Sequence, residues 1–453
     1  MILESVEFSR YLTMLTLSVH VVFATVGVGV PLFIMIAHWI GLKREDQHYI
    51  LMAKRWTRGY VISVAVGVVT GTAIALQLAL LWPRFMEFAG QLVALPLFME
   101  TFAFFFEAIF LGIYLYTWNR FKNPKHHFYL LVPVVIGGAM SALFITSVNA
   151  FMNTPQGFTL LNGELTNIQP LLAMFNPAMP TKVAHVLSSA YMTAAFVLAS
   201  IAAFHLLRGS RHEYHRKGLS LTMKVGFIFC IATALIGDLS GKFLAEYQPE
   251  KLAAAEWHFE TKGEAPIILF GVLTETNEVK YAIEIPYALS ILVHSNLSGE
   301  VTGLNDIPEE YHPPYVIHYF FDIMVSIGIG LTLLSMFYLL ALKRNWAIIK
   351  TKLFRTFLVL TGPLAMLAIQ AGWWFTEVGR QPWIMRGFMK TAEGATDSNY
   401  VWVMFIVFAF VYLILMIGTA VVLTRMFRNN PVEYEIDGLS KQEGLGEQRG
   451  VTV

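Results

Sequence analysis

Cysteine is nearly absent from this sequence, since Cys230 is the single one and lies within an apolar run. The chain therefore cannot form an internal disulfide or a cysteine-based metal cluster, and Cys230 is expected to be a small core residue. Charge is also scarce: 14% of the residues are charged, compared with roughly 25% in soluble domains. With a net charge of +1, the composition offers no electrostatic attraction for nucleic acid.

Hydrophobic length is what the sequence has instead, because 56% of its residues are hydrophobic. A helix needs about 20 mostly apolar residues to cross a bilayer. Nine segments meet that requirement, at residues 11–40, 60–82, 92–117, 128–150, 184–207, 218–238, 318–342, 353–378 and 399–424. The sequence therefore predicts an all-α, polytopic membrane protein with nine spans. No basic leader precedes the first span, so we expect no cleaved signal peptide.

The basic residues are concentrated in alternate connections. They follow spans one, three, five, seven and nine, and include Lys43, Arg44, Lys54, Arg55, Arg58, Arg120, Lys122, Lys125, Arg208, Arg211, Arg216, Lys217, Lys343, Arg344, Lys350, Lys352, Arg355, Arg425 and Arg428. Short loops rich in Lys and Arg remain on the cytoplasmic side of a membrane. The pattern predicts an N-terminus outside the cell and a C-terminus inside.

One outer connection, residues 239–317, is too long to be a simple turn. It divides the chain into helices one to six (1–238), an external loop (239–317), helices seven to nine (318–430) and a cytoplasmic tail (431–453). Two apolar stretches, 265–273 and 283–293, interrupt the loop. They fit either a cap over the helix ends or a surface beside an apolar ligand. The charged tail after Pro431 is expected to be disordered or peripheral.

Four residues of the types that bind haem iron lie toward the outer ends of different spans. His20 is in span one, His185 begins span five, Met324 follows the start of span seven, and Glu377 ends span eight. Haem iron accepts His, Met or an anionic oxygen as axial ligand, and a His/Met pair suits electron transfer. By contrast, His38 and His205 lie at inner ends and are interpreted as interface residues.

Glu377 belongs to the segment GWWFTEVGRQPW, residues 372–383. A carboxylate at the edge of the hydrocarbon is costly and usually acts as a ligand, a proton carrier or an ion-pair partner. Here Arg380 and several aromatic rings follow or precede it closely. That combination suits a flat, anionic cofactor.

Two more carboxylates, Glu100 and Glu107, lie in the Phe-rich third span. A separation of seven residues places them on nearly the same helix face, about 10 Å apart along the axis. Paired intramembrane carboxylates indicate a proton relay. Hydrogen bonds to a neighbouring helix are the structural alternative.

Over nearly its whole length the sequence resembles subunit I of the cytochrome bd family of quinol oxidases. The matching segments, in order, are Ser9-Arg10, His20, GVVTG (67–71), Glu100, FFFEAIFLG (104–112), NAFMNTPQGF (149–158), NPAMPTKVAHV (176–186), GDLSG (237–241), QPEKLAAAEW (248–257), DIMVSIG (322–328) and GWWFTEVGRQPW (372–383). Their order and spacing together are highly specific. The external loop is of the shorter type found in this family.

The resemblance implies haem ligands. His185 and Met324 would ligate a low-spin haem b, whereas His20 and Glu377 would ligate two high-spin haems, one of b type and one of d type. Which of those two residues serves which haem stays open, as does a second high-spin haem b in place of haem d. Arg10 would be a nearby cation for haem propionates.

The resemblance also implies catalytic roles. Glu100 would lie at the dihaem site and Glu107 would supply it with protons. Trp373 and Arg380 would line the haem pair. Lys251 and Glu256, in the external loop, match positions for quinol oxidation.

The implied reaction is quinol oxidation at the outer face and reduction of oxygen to water with protons from inside, which makes turnover electrogenic without a pump. The implied partners are a second membrane subunit and a small single-helix subunit. Residues 75–82 lack a carboxylate, and Asp322 stands where some members have a basic residue. A secondary transporter and a dihaem quinone reductase are the alternatives, but the sequence shows no repeat typical of transporters and few membrane histidines.

Overall fold

The computed structural model describes residues 2–437 and is mainly helical. In chain order its α-helices are α1 (Ile2–Arg44), α2 (Gln47–Leu81), α3 (Pro83–Tyr116), α4 (Pro124–Tyr129), α5 (Leu131–Asn153), α6 (Pro170–Met174), α7 (Met179–Leu207), α8 (Glu213–Tyr247), α9 (Pro249–Ala255), α10 (Ala288–His294), α11 (Ile317–Lys343), α12 (Lys352–Val378), α13 (Thr391–Gly394) and α14 (Val401–Asn429). Single 3₁₀ turns occupy Leu304–Asp306, Glu309–Tyr311 and Ala347–Lys350.

Nine helices in the described range are long and apolar enough to cross a membrane, namely α1, α2, α3, α5 (with α4), α7, α8, α11, α12 and α14. The predicted nine-span, all-α membrane fold is thereby confirmed. Because successive spans alternate in direction, the ends of α2, α5, α8 and α12 lie on the side at which α1 begins. We refer to this side of the bundle as the N side.

Several helices extend beyond the apolar segments that predicted them. The first begins at Ile2 rather than at residue 11, and α8 continues to Tyr247 rather than ending at 238. Hydropathy marks only the part of a helix that lies in hydrocarbon, whereas caps and prolines mark its real ends. Thus the Asp46 side chain accepts a hydrogen bond from the His48 N–H at the start of α2, and Pro249 follows the end of α8.

Small residues let the central helix, α7, approach three neighbours closely. A Cβ atom on Gly29 of α1 would lie 2.5 Å from the Ala194 Cβ, and one on Gly362 of α12 would lie 2.8 Å from the Ser200 Cβ. Gly226 of α8 similarly faces Ala195 at 3.1 Å. Close backbone approach over small residues is the usual basis of helix association in membranes. It places α7 between the helices that carry the candidate ligands.

The strands form four two-stranded antiparallel sheets in connections on the N side. The pairs are β1 (Thr159–Leu161) with β2 (Glu164–Thr166), β3 (Ile267–Leu269) with β6 (Ile283–Ile285), β4 (Val272–Leu273) with β5 (Val279–Lys280), and β7 (Trp383–Met385) with β8 (Met389–Lys390). The connection from α8 to α11 contains four of these strands and the short helices α9 and α10. Its two apolar stretches therefore contribute to folded structure over the helix ends.

At the opposite side, the first residues of the tail pack against the bundle. Val432 is buried, and the Glu435 carboxylate accepts from Arg58 at 2.5 Å and also from Arg55. These contacts hold residues 431–437 against the first part of α2. The rest of the predicted tail, 438–453, lies outside the described residues.

Candidate active site

His20 occupies the middle of α1 and is oriented by α2. Its Nδ1 lies 2.9 Å from the Thr70 hydroxyl, and that hydroxyl is 3.1 Å from the carbonyl oxygens of Val66 and Gly67. Because the hydroxyl donates its one hydrogen to a carbonyl, it accepts from His20 Nδ1–H. The Nε2 lone pair therefore remains available. Gly71 faces the ring, and a Cβ atom there would lie 3.2 Å from His20 Cε1.

His185 lies in the second turn of α7. Its ring Nδ1 is buried and has no hydrogen-bond partner among the described residues. Gly237 of α8 faces the ring, with its Cβ position 3.8 Å from Cε1. Buried polar atoms are rarely left without a partner. The side chain therefore has the geometry of a ligand rather than of a structural histidine.

Met324, in the second turn of α11, points at a glycine of α12. A Cβ atom on Gly372 would lie only 2.9 Å from the Met324 sulfur. Next to this contact, the rings of Phe321 and Phe375 pack 5.4 Å apart and join the same two helices. The absence of a side chain at Gly372 is thus what gives the thioether its space.

Glu377 closes a polar cluster at the N-side end of α12. Arg380 donates to its Oε2 at 2.7 Å, and Asn149 of α5 donates to its Oε1 at 2.5 Å. Lys182 of α7 donates in turn to Asn149 Oδ1 at 3.0 Å. The carboxylate is little exposed, but it has about four acceptor positions, so these two bonds leave some of them free.

Cations outnumber carboxylates around Glu377. Arg380 donates to it from the turn after α12, and Lys182 of α7 is connected to it through Asn149. Lys251 approaches from α9, where its Nζ lies 3.3 Å from the Thr376 carbonyl oxygen and 4.6 Å from the centre of the Phe375 ring. The buried Nε of Arg380 has no partner among the described residues. Such an excess of buried positive charge suits an anionic group.

Helix α12 also contacts α1 near His20. Gln370 and Trp374 donate to the Ser18 carbonyl oxygen and hydroxyl at 2.6 and 2.8 Å. The neighbourhoods of His20 and Glu377 are thus joined. Trp373 is half-buried, and it is Trp374 that makes the hydrogen bond. Arg10 is half-buried farther toward the N side on α1, and no described residue pairs with it.

The carboxylates of α3 face α5 and α2. Ser141 donates to Glu100 at 2.9 Å, and the Tyr60 hydroxyl donates to Glu107. Glu107 is buried against Gly138, whose Cβ position lies 3.3 Å from its Oε2. Each predicted relay residue therefore has a hydroxyl partner on a neighbouring helix. His38 likewise has a partner, the Tyr114 hydroxyl at 2.9 Å.

Lys251 and Glu256 lie in and immediately after α9, and both are buried. Burial lowers the pKa of the Lys251 ammonium to about 7, although the Glu377 carboxylate opposes the shift. Burial also raises the pKa of the Glu256 carboxyl well above its usual value; the Ile268 N–H opposes this, and the Asp322 carboxylate adds to it. Glu256 Oε1 has no partner in the described part of the chain.

A family model described as Cytochrome bd terminal oxidase subunit I matches residues 8–431. The chain belongs to this family. A Bacillus subtilis (strain 168) protein named "Putative cytochrome bd menaquinol oxidase subunit I" is 41% identical over 445 residues, covering 96% of this chain and 99% of the relative. A "Cytochrome bd ubiquinol oxidase subunit 1" of the same organism is 32% identical over 394 residues, covering 84% and 83%. The bd oxidase structure from Geobacillus thermodenitrificans shares 67% identity with a TM-score of 0.92, covering 94% of this chain and 99% of that one.

Membership in the cytochrome bd subunit I family confirms the predicted resemblance and the prediction of a quinol oxidase in a bacterial membrane. It implies haem cofactors, quinol as substrate and a second subunit as partner. It also decides between the oxidase and the two alternatives, since a transporter or a dihaem quinone reductase would not match this family over most of its length.

The residues present fit haem. The three neutral ligand candidates each pack against a glycine that lets them lie close to the neighbouring helix; the pairs are His20 with Gly71, His185 with Gly237, and Met324 with Gly372. The unpaired Nδ1 of His185 and Nε of Arg380 are further polar atoms for which the protein supplies no partner. Together with the surplus cations, these features match an iron ligand set and the carboxylates of a porphyrin.

Several residues of the site were missed by the sequence analysis. Asn149 and Lys182 lie within two of the motifs that carried the resemblance, but the sequence assigned neither of them a role. Thr70 likewise lies at the end of GVVTG. No sequence pattern pointed to Tyr60 or to Ser141. A serine hydroxyl in an apolar helix usually bonds to its own backbone.

Proposed function

We propose that this chain is the haem-bearing catalytic subunit of a quinol:oxygen oxidoreductase, which oxidises quinol on the N side and reduces oxygen to water with protons from the opposite side. The support is an asymmetry of the bundle. The candidate histidine and methionine ligands and the surplus basic side chains lie toward the N side, whereas the carboxylates of α3 continue toward the other side. The basic connections support an N side that lies outside the cell.

His185 and Met324 are proposed to hold a low-spin haem b. His20 and Glu377 are proposed to hold the two high-spin haems, of which one is haem d or a second haem b. Bound haem supplies one-electron redox chemistry and an iron centre for oxygen. The chain itself orients the ligands: Thr70 fixes the His20 ring, and Arg380 and Asn149 fix the Glu377 carboxylate. Trp373 and Arg10 are proposed to line the haem site.

Quinol oxidation is assigned to the connection after α8, which the sequence bounded at 239–317 and which starts at residue 248 because α8 is longer than predicted. Glu256 accepts a proton from a quinol hydroxyl, because its buried Oε1 has no partner among the described residues and is free to receive that hydroxyl;. Lys251 polarises a quinol oxygen from the side that faces Glu377. Because both groups are buried in the connection on the N side, the released proton leaves through that connection to the same side.

Protons for water come through α3. Glu107, bonded to Tyr60, receives them from the inner side, and Glu100, bonded to Ser141, is nearer to the haem site. Because quinol protons are released outside and water protons are taken from inside, turnover moves charge across the membrane without a pump. A second membrane subunit, and a small single-helix subunit, are the proposed partners of this chain.

The proton route is tested by Glu107→Gln, with Glu87→Gln as control because Glu87 is exposed on the same helix. We expect Glu107→Gln to slow quinol-dependent oxygen consumption by about 10²-fold, as loss of a proton-transferring group does, with all haem bands present. Glu87→Gln should match the wild type. Normal turnover in Glu107→Gln would remove that residue from the route.

A further inference from the structure

His318, in the first turn of α11, is a buried histidine to which no role has been given. Its Nδ1 lies 2.7 Å from the Ala255 carbonyl oxygen, and its Nε2 lies 3.0 Å from the Phe270 carbonyl oxygen. Carbonyl oxygens only accept hydrogen bonds, so the ring faces an acceptor at each of its two nitrogens. The Asp322 carboxyl group, one turn later, lies 3.2 Å from Nε2.

The two carbonyl groups held by His318 belong to the segments that hold Glu256. Ala255 directly precedes Glu256 in the chain. Phe270 lies two residues after Ile268, whose N–H donates to Glu256 Oε2 at 3.3 Å. Asp322 completes the clamp by accepting from the Phe270 N–H at 2.5 Å. His318 and Asp322 thus fix the backbone on both sides of one carboxyl group.

An aromatic ring covers the face of this histidine. The Trp257 ring stacks on His318 with its centroid 3.8 Å away, and its Nε1 donates to the Tyr315 carbonyl oxygen at 3.0 Å. The residues before and after Glu256 in sequence are therefore both anchored to His318. Glu256 Oε1 is left buried and without a hydrogen-bond partner among the described residues.

We propose that His318 is a positioning residue for quinol oxidation, which clamps the loop so that Glu256 Oε1 stays free to accept the quinol hydroxyl. The inference rests on the proposed role of Glu256 as proton acceptor. A proton acceptor must lie within hydrogen-bond distance of the hydroxyl, and a displacement of about 1 Å is enough to lower a rate by about 10²-fold. His318 acts through Glu256 and does not itself touch the substrate.

The loop contains a natural comparison. His312 also bonds to backbone carbonyls, those of Leu304 at 3.0 Å and Ile307 at 2.9 Å, and neither of these two residues is hydrogen-bonded to Glu256. His312→Phe therefore removes a loop-pinning histidine of the same kind elsewhere. His318→Phe removes both ring nitrogens and keeps a ring to stack on Trp257, whereas His318→Gln keeps one amide donor.

The test uses the complete oxidase complex with each of these variants, Glu256→Gln, and the double variant His318→Phe/Glu256→Gln. Oxygen consumption is measured with quinol, and with a phenylenediamine one-electron donor that releases no hydroxyl proton; haem spectra confirm assembly.

We expect His318→Phe to lower kcat with quinol at least tenfold, with KM changed less than about threefold, and to leave the phenylenediamine rate unchanged. His318→Gln should be intermediate, and His312→Phe should resemble the wild type.

The double variant decides whether His318 acts through Glu256. Its quinol kcat should equal that of Glu256→Gln, because removing the clamp has no further effect once the clamped acid is gone. A further decrease in the double variant, or an equal effect of His312→Phe, would overturn the inference. Normal quinol oxidation by Glu256→Gln would instead refute the proposed function of Glu256, and the inference with it. If His318→Phe does not assemble, the comparison of His318→Gln with its own Glu256→Gln double variant gives the same decision.

Discussion

At the scale of single residues, the site depends on glycines, which have no side chain. The Cβ positions of three glycines, each on a neighbouring helix, lie within 4 Å of a candidate ligand; these are Gly71, Gly237 and Gly372. In a helix interior glycine costs roughly 0.5–1 kcal/mol relative to alanine, so space is the physical reason to place it there. At each of these positions glycine lets the candidate ligand lie directly against the neighbouring helix.

The space around Met324 is testable with a single methyl group. In Gly372→Ala the new Cβ would lie 2.9 Å from the Met324 sulfur, so the thioether must move. We expect a shifted midpoint potential and α band of the low-spin haem. Gly328→Ala, on α11 itself, adds a Cβ with nothing within 4 Å and should leave both unchanged. Identical spectra for the two variants would argue against Met324 as a ligand.

Lys251 predicts how quinol oxidation depends on pH. Its pKa is lowered to about 7 by burial, so the ammonium form is lost as pH rises through that value. If the charged form polarises quinol, kcat/KM should fall on the alkaline side of pH 7 in the wild type. Lys251→Met should be slower at pH 6 and lack that decline, whereas Lys280→Met, an exposed loop residue, should retain it. A persistent decline in Lys251→Met would assign it to another group.

At the scale of elements, α3 and α5 make a tight contact at the relay. A Cβ atom on Gly137 would lie 2.9 Å from Glu107 Cβ and 3.0 Å from the Ala103 carbonyl oxygen. Overpacking of this kind costs about 1–3 kcal/mol. Gly137→Ala should therefore lower the thermal unfolding midpoint of the purified complex. Gly112→Ala, on α3 with nothing within 4 Å of the new Cβ, should not; equal midpoints would mean that α5 adjusts freely.

The sequence predicted helices better than their ends or their contacts. Hydropathy located all nine spans, but α8 continues to Tyr247 because helix ends in water follow caps and proline rather than hydrophobicity. The motifs brought Asn149 and Lys182 into view without a role. His318 could not be recognised, because its carbonyl partners at Ala255 and Phe270 are distant in sequence and only the folded loop brings them to α11.

At the scale of the whole molecule, the nine candidate spans of the described residues are an odd number, so α1 begins and α14 ends on opposite sides of the bundle. Helix α14 packs mainly on α1 and α2 and exposes most of its apolar side chains. Such a surface suits lipid or a second membrane subunit. The candidate haem ligands lie toward the N side, and the carboxylates of α3 continue toward the opposite side. The proposed quinol oxidation and the proposed proton uptake are therefore on opposite sides of the bundle, which is the basis of the proposed electrogenic turnover.

The central claim is that side chains from α1, α7, α11 and α12 hold haem near the N side. The most direct measurement is the reduced-minus-oxidised optical spectrum of the purified complex. For the wild type we expect a Soret band with low-spin and high-spin b-type features, plus far-red absorption if one haem is of d type. For Met324→Leu we expect loss of the low-spin component. A wild-type complex without a Soret band, or a Met324→Leu complex with an intact low-spin signal, would contradict it.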